Sequence, residues 1–241
     1  MKTQITKASM LLFMAITISS CMIEGISSIN GKGTVVTETR NIQEDFNKVQ
    51  IGRGIELYIS QEANTSLVVK ADENLQRIIR TEVKNGVLVI SSKKNIRRAK
   101  AKRVYLAMDK ITDIDASSGS SVVSEGMLRS TVFSLSTSSG ARAKVEIDAE
   151  TVTTSSSSGA SIRIQGKATY HTTKASSGAS IKSFDLKSKN VTAKASSGAN
   201  IDVYAADRLE AKASSGGDID FKGNPRNISK RKSSGGSISS Y

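Results

Sequence analysis

"KASSGANI", Lys194 to Ile201, nearly repeats "KASSGASI", Lys174 to Ile181. Both contain a Ser-Ser-Gly triplet followed, three residues after the glycine, by isoleucine. Seven such triplets end in Gly119, Gly140, Gly159, Gly178, Gly198, Gly216 and Gly235, at steps of 21, 19, 19, 20, 18 and 19 residues. A fixed period of this length marks a solenoid or other array. Three residues after each glycine stand Val122, Ala143, Ile162, Ile181, Ile201, Ile219 and Ile238, and five after it Val145, Ile164, Val203 and Phe221 continue the alternation. Seven before the next glycine stand Phe133, Val152, His171, Val191, Leu209 and Ile228; five before it come Leu135, Thr154, Thr173, Ala193, Ala211 and Lys230.

Alternation of period two means strands with one face turned inward, where a helical repeat would space its apolar residues three and four apart. The pattern predicts an all-β fold, a right-handed parallel β-helix of about 19-residue coils. Each coil is expected to hold two short strands and a third in its variable middle. Coils about 4.8 Å apart make the six steps a rod of roughly 29 Å. The triplet is then a corner. Glycine takes the positive φ that a sharp bend requires, the paired serines put small hydroxyls where neighbouring coils can bond, and inward Ala195, Ala213 and Ser156 keep the bend narrow. A disordered Ser/Thr/Gly-rich linker would not need a β-branched residue at a set distance from each triplet.

Residues 1–20 read as an export signal: Lys2 and Lys7, an apolar run from Met10 to Ile18, then "ISSC". The run is too short to cross a bilayer as a helix, which needs about 20 residues. The ending resembles the lipobox of bacterial lipoproteins, with Cys21 as the lipidated residue; a plain signal peptide with an incidental cysteine is the other reading. Cys21 is the only cysteine, so no disulfide can form within the chain. Cleavage before it leaves 221 residues and, with two lysines lost, lowers the formal charge from +13 to +11. Residues 21–32 are expected to be a linker, 33–115 a β-rich section capping the stack, and 116–241 the repeat itself. Solenoids need covered ends to remain soluble. Asn85-Gly86 between "TEV" and "VLVI" signals a hairpin, Asp72 is a candidate cap for a short helix over 73–79, and Lys230 and Lys232, in phases that are inward elsewhere, mark the last open coil.

"FNKVQIGRGIELYISQEANTSLVVKADENLQRIIRTEVKNGVLVI", Phe46 to Ile90, followed by serial "SSGxxI" units, resembles the family called "putative auto-transporter adhesin, head GIN domain" over about residues 33–240. The resemblance implies a β-helical protein exported by Bacteroidetes-type bacteria, often as a lipoprotein, with an adhesion or surface role and no catalytic residues to carry over. The triplets depart from the commoner "SGSG" by reading "SSGA" and "SSGG", which changes corner packing and touches no known site.

Four groups of residues are candidates for chemistry. Asp185, Asp202, Asp218 and Asp220, with Lys182 and Lys194, lie on different coils; a carboxylate pair among them would suit glycoside cleavage, whereas outward charges on a solvated strand require no function. His171, the only histidine, stands in the phase of Val152 and Val191 and is expected inward or at a register shift; alone it cannot hold zinc. No metal or other cofactor is expected. No "G-x-S-x-G" elbow activates any of the serines, and a hydroxyl without a base is inert. The cluster "KKNIRRAKAKR" brings Lys93, Lys94, Arg97, Arg98, Lys100, Lys102 and Arg103 into eleven residues. It reads as a patch for anionic glycan or lipid headgroups, or as charge that keeps a sheet edge from aggregating.

The function expected is therefore that of a non-enzymatic, lipid-anchored outer-membrane protein, an adhesin or glycan-binding β-helix. Its expected partners are the membrane, through the anchor, and an anionic glycan or another envelope protein; export argues against nucleic acid. An enzyme acting on acidic polysaccharide, lyase or hydrolase, and a structural or stress-related envelope scaffold are the alternatives. Met22 after the cysteine, in place of Asp, points to the outer membrane.

Overall fold

The computed structural model describes residues 28–241, so the expected export signal and Cys21 lie outside the described residues. The amino-terminal strands are β1 (Ser28–Asn30), β2 (Val35–Arg40), β3 (Lys48–Ile51), β4 (Glu56–Gln61), β5 (Ser66–Asp72), β6 (Ile79–Lys84), β7 (Val87–Ser92), β8 (Asn95–Arg98) and β9 (Lys102–Met108). The repeat supplies β10 (Asp113–Ala116), β11 (Ser121–Thr137), β12 (Arg142–Ser156), β13 (Ser161–Ala175), β14 (Ser180–Ala195), β15 (Asn200–Ala213), β16 (Asp218–Lys222), β17 (Asn227–Lys232) and β18 (Ser237–Ser240). Together they wind a parallel β-solenoid of about seven turns and ~19-residue coils.

Pairing is residue by residue in the phase the sequence implies. Val122, Ala143, Ile162, Ile181, Ile201, Ile219 and Ile238 face one another along the stack, all buried. Phe133, Val152, His171, Val191, Leu209 and Ile228 form a second column. Ala195, Ala213 and Ser156 are buried beside the corner. The coil itself differs from expectation: β11 to β15 are continuous strands of 14–17 residues, bent in the middle by register shifts at Val123/Met127, Arg163/Gly166 and Ser183/Lys187. One tight corner per turn is enough.

At that corner the second serine shares the left-handed conformation with the glycine: φ is 52° at Ser118 and 69° at Gly119, and all seven triplets repeat the pair. The Ser120 amide closes the turn on the Ser117 carbonyl at 3.1 Å. Two consecutive positive φ values are the type I′ arrangement, which costs a non-glycine residue about 1 kcal/mol. A backbone ladder offsets it. The Gly140 amide donates to the Ser158 carbonyl at 3.1 Å, the Gly159 amide to Ser177 at 3.1 Å, and so on down the stack. The corners are thus joined by main chain, not by the serine hydroxyls.

The amino-terminal section is more than a cap. β3 pairs with β10 and β4 with β11, both parallel, so Lys48–Gln61 is itself a coil. Its corner is Gly52-Arg53-Gly54-Ile55, with Arg53 at φ 56° and Gly54 at φ 69°. β7 and β9 add another level above it. Capping falls to the antiparallel strands: β6 on β7 through the expected Asn85-Gly86 hairpin, β5 on β9, and β2 on β5. Two local readings need correction. β1 lies within the expected linker and pairs parallel with β8. Asp72 caps no helix: a three-residue 3-10 turn, Glu73–Leu75, follows it, and its carboxylate accepts the amides of Lys100 and Ala101 at 3.1 and 2.9 Å.

At the far end β17 pairs only with β15, is exposed throughout, and leaves Ile228 48% accessible. Lys230 folds its ammonium over Phe221, 4.3 Å from the ring centre. A charged edge of this kind disfavours edge-to-edge pairing with a second copy. Replacing Lys230 and Lys232 by alanine, the residue at both phases one coil earlier (Ala211, Ala213), is expected to cause concentration-dependent end-to-end association. Sedimentation velocity checks it; a variant that stays as monodisperse as the parent removes this role.

Candidate functional site

Residues two, four and six positions after each corner glycine point outward, so the post-corner halves of the coils form one exposed face. Its central column reads Tyr105, Tyr58, Val123, Lys144, Arg163, Lys182, Asp202, Asp220. Tyr58 and Tyr105 stack with ring centres 5.1 Å apart. Arg103, beside them, pairs with Glu56 at 3.2 Å. Next, Ser121, Val123, Arg142, Lys144, Arg163 and Lys182 line a groove of about 570 Å³. Beyond Lys182 the sign changes. Asp202 and Asp220 face each other with Asp218 nearby; burial first, then repulsion from Asp220 for Asp202 and from Asp218 for Asp220, raises both carboxyls above the usual range.

The predicted basic cluster is split by the fold. Lys93, Lys94, Arg97, Arg98 and Lys100 are exposed on or beside β8. They occupy the level where the other coils have a Ser-Ser-Gly corner, because Lys93–Ala101 connects β7 to β9. Lys100 donates to the Gly33 carbonyl at 3.1 Å. Lys102 and Arg103 are half-buried on β9, and Arg103 is neutralised by Glu56, so the cation-rich element is β8 and its flanks. Among the described residues none of its cations forms an ion pair.

The candidate acids also divide. Asp202, Asp218 and Asp220 share the outer face with Lys182, Asp185 lies in the bulge of β14, and Lys194 sits before its corner in register with Lys212. His171 is buried. Its Nε2 lies 3.0 Å from the Thr154 hydroxyl, which donates to the Thr173 hydroxyl at 2.9 Å; Nε2 therefore carries the proton, and Nδ1 has no partner. Burial lowers the imidazole pKa to about 4. It is a neutral core residue. Among the described residues, no group of three or more His, Cys, Asp or Glu is placed to hold a metal.

Sequence reasoning did not single out the groove. Arg142, Lys144 and Arg163 are legible in retrospect as outward positions two and four after Gly140 and Gly159. That Tyr58 and Tyr105 join their column was not, because those strands lie 47 residues apart with a cap folded between them.

The described residues thus form a β-solenoid whose outer face carries a charged groove. The family model described as "Putative auto-transporter adhesin, head GIN domain" matches residues 45–225, and the chain belongs to that family. No curated protein matches it significantly. Among solved structures it is similar to an adhesin, described as putative, from Bacteroides fragilis, at TM-score 0.82 and 19% identity over 88% of this chain and 100% of that one. A second such adhesin, from Parabacteroides distasonis, gives TM-score 0.73 and 20% identity over 89% and 100%. A protein of the same organism, described as a putative lipid binding protein, gives 0.71 and 20% over 89% and 100%. At these identities the likeness establishes the fold. No helix of the described residues is long and apolar enough to cross a membrane.

Proposed function

We propose that this chain is a non-enzymatic, exported envelope lipoprotein that holds a surface-binding solenoid at the outer membrane. The observation that carries the reading is the pairing of β1 with β8. Cys21, the proposed lipid-bearing residue, precedes Ser28 by seven residues, a reach of at most about 25 Å. An anchor there brings the cationic strand to the headgroups, where each lysine or arginine adds about 1 kcal/mol against an anionic leaflet. The acyl chains supply attachment; Lys93, Lys94, Arg97 and Arg98 supply orientation. The remaining coils then present their polar face to a glycan or another envelope protein. The names of the similar structures, adhesin and lipid binding, are in keeping with this arrangement.

Two measurements test it. Acyl labelling is expected on the parent and lost in Cys21→Ser. In the Cys21→Ser background, replacing Lys93, Lys94, Arg97 and Arg98 by glutamine is expected to weaken sedimentation with phosphatidylglycerol vesicles about tenfold or more, with salt eroding the parent's binding. Unchanged vesicle binding would remove the patch from the reading. New reducing or unsaturated ends after incubation with acidic polysaccharides would replace it with the enzymatic one.

A further inference from the structure

We infer that the groove across β11 to β14 binds an acidic polysaccharide chain lying along the solenoid axis; this rests on the surface-binding reading above and assigns it a site and a ligand class. Three observations converge. The first is uncompensated charge. Lys144, Arg163 and Lys182 stand directly above one another on successive coils, with Arg142 beside them, all exposed. Coils about 4.8 Å apart place like charges where cross-strand neighbours repel. Among the described residues none of the four has a carboxylate within ion-pair distance. Only Lys182 has a carboxylate, Asp202, opposite it on the next coil; the rest of the column repels itself in the free protein and is relieved by a polyanion with one charge per monomer.

The second observation is shape. The cations line a groove of about 570 Å³ that also holds outward-facing Val123 and is edged by serine hydroxyls. A flat bilayer meets a projecting strand such as β8 and not the floor of a groove, whereas a linear glycan fits along it. Its ring hydroxyls find the serines and its C–H faces find Val123 and the aliphatic stems of the lysines and arginines.

The third is the pair of ends. Toward the amino terminus the column continues into Val123 and the stacked Tyr58–Tyr105 pair, amphipathic rings suited to the edge of a sugar. Toward the carboxyl terminus it stops at Asp202 and Asp220, which repel a polyanion. From Tyr105 to Lys182 is five steps, roughly 24 Å. The ligand is thus an oligosaccharide segment bearing carboxylate or sulfate groups, its charged part bounded by Asp202.

The test uses the full chain carrying Cys21→Ser, without detergent, with polygalacturonate as the probe, dextran sulfate and neutral dextran alongside, and phosphatidylglycerol vesicles as the competing surface. The parent is expected to bind polygalacturonate in a salt-sensitive manner, and dextran weakly or not at all. Replacing Arg142, Lys144, Arg163 and Lys182 by glutamine is expected to weaken binding about thirtyfold. Glutamine at Lys93, Lys94, Arg97 and Arg98 should leave polygalacturonate binding within about threefold of the parent. The double variant Asp202→Asn, Asp220→Asn lengthens the usable column and is expected to bind severalfold more tightly, a gain that misfolding cannot mimic. Binding by the parent that is untouched by both groove variants overturns the groove and leaves the surface-binding reading standing. A parent that ignores both acidic polymers, yet loses vesicle binding when the groove cations are removed, overturns the glycan in favour of the membrane.

Discussion

Replacing Gly166 by alanine is expected to cost roughly 3–5 kcal/mol and to leave little soluble protein, while Gly178→Ala at a corner costs about 1 kcal/mol. Both glycines have positive φ, but their surroundings differ. Gly178 has φ 69° and open space where a Cβ would project, and the serine before it already tolerates φ 53°. Gly166 sits in the bulge of β13 at φ 120°, and a Cβ there would collide with the main-chain carbonyl of Ile147 on the preceding coil. Neither the strand nor its neighbour can yield, because Ile147 is fully buried and β12 is paired on both sides. Urea midpoints and soluble yields of the two variants check the contrast. Equal losses would show that corner conformation, and not coil-to-coil contact, limits the stack.

Acidification from pH 6.5 to 4 is expected to remove about 3 kcal/mol of stability through His171 alone. The sign follows from proton binding. The folded imidazole, buried among Thr154, Thr173 and the adjoining valines, stays neutral down to about pH 4, while the unfolded one protonates near its ordinary 6.5. Between these values the unfolded chain holds more protons, so stability falls as pH falls. His171→Val places a third valine between Val152 and Val191 and leaves the Thr154–Thr173 hydrogen bond available. It should change little at pH 7 and be about 3 kcal/mol less sensitive to acid. Asp115, Asp202 and Asp220 act in the opposite direction: burial raises their carboxyls, so they favour the folded state as pH falls through those raised values. They are common to both proteins, and the difference between the two pH profiles isolates the histidine. Parallel profiles would place His171 in contact with solvent.

How much of this was readable can be judged from particular positions. The column from Val122 to Ile238 follows from counting, since one residue three places after each glycine must meet its counterpart whenever equal coils stack in parallel. Lys230 at an inward phase marked the open end for the same reason. The corner at Gly54 escaped because "GRGI" has no serine, although Arg53 and Gly54 adopt the same two positive φ values as each Ser-Gly pair. The basic cluster was visible as composition, yet its division between an exposed β8 and a half-buried β9 was not.

The sequence by itself determined the period, the inward residues, the placement of the corners and the sign of the charge at the open end. These depend on local backbone geometry and on a repeat that makes each coil's neighbour a near copy of itself. Only the tertiary structure decided which outward cations line up, that two tyrosines from distant strands continue their column, and that β1 runs beside β8. Those contacts join non-repeating segments across a folded cap, where no internal period specifies the partner.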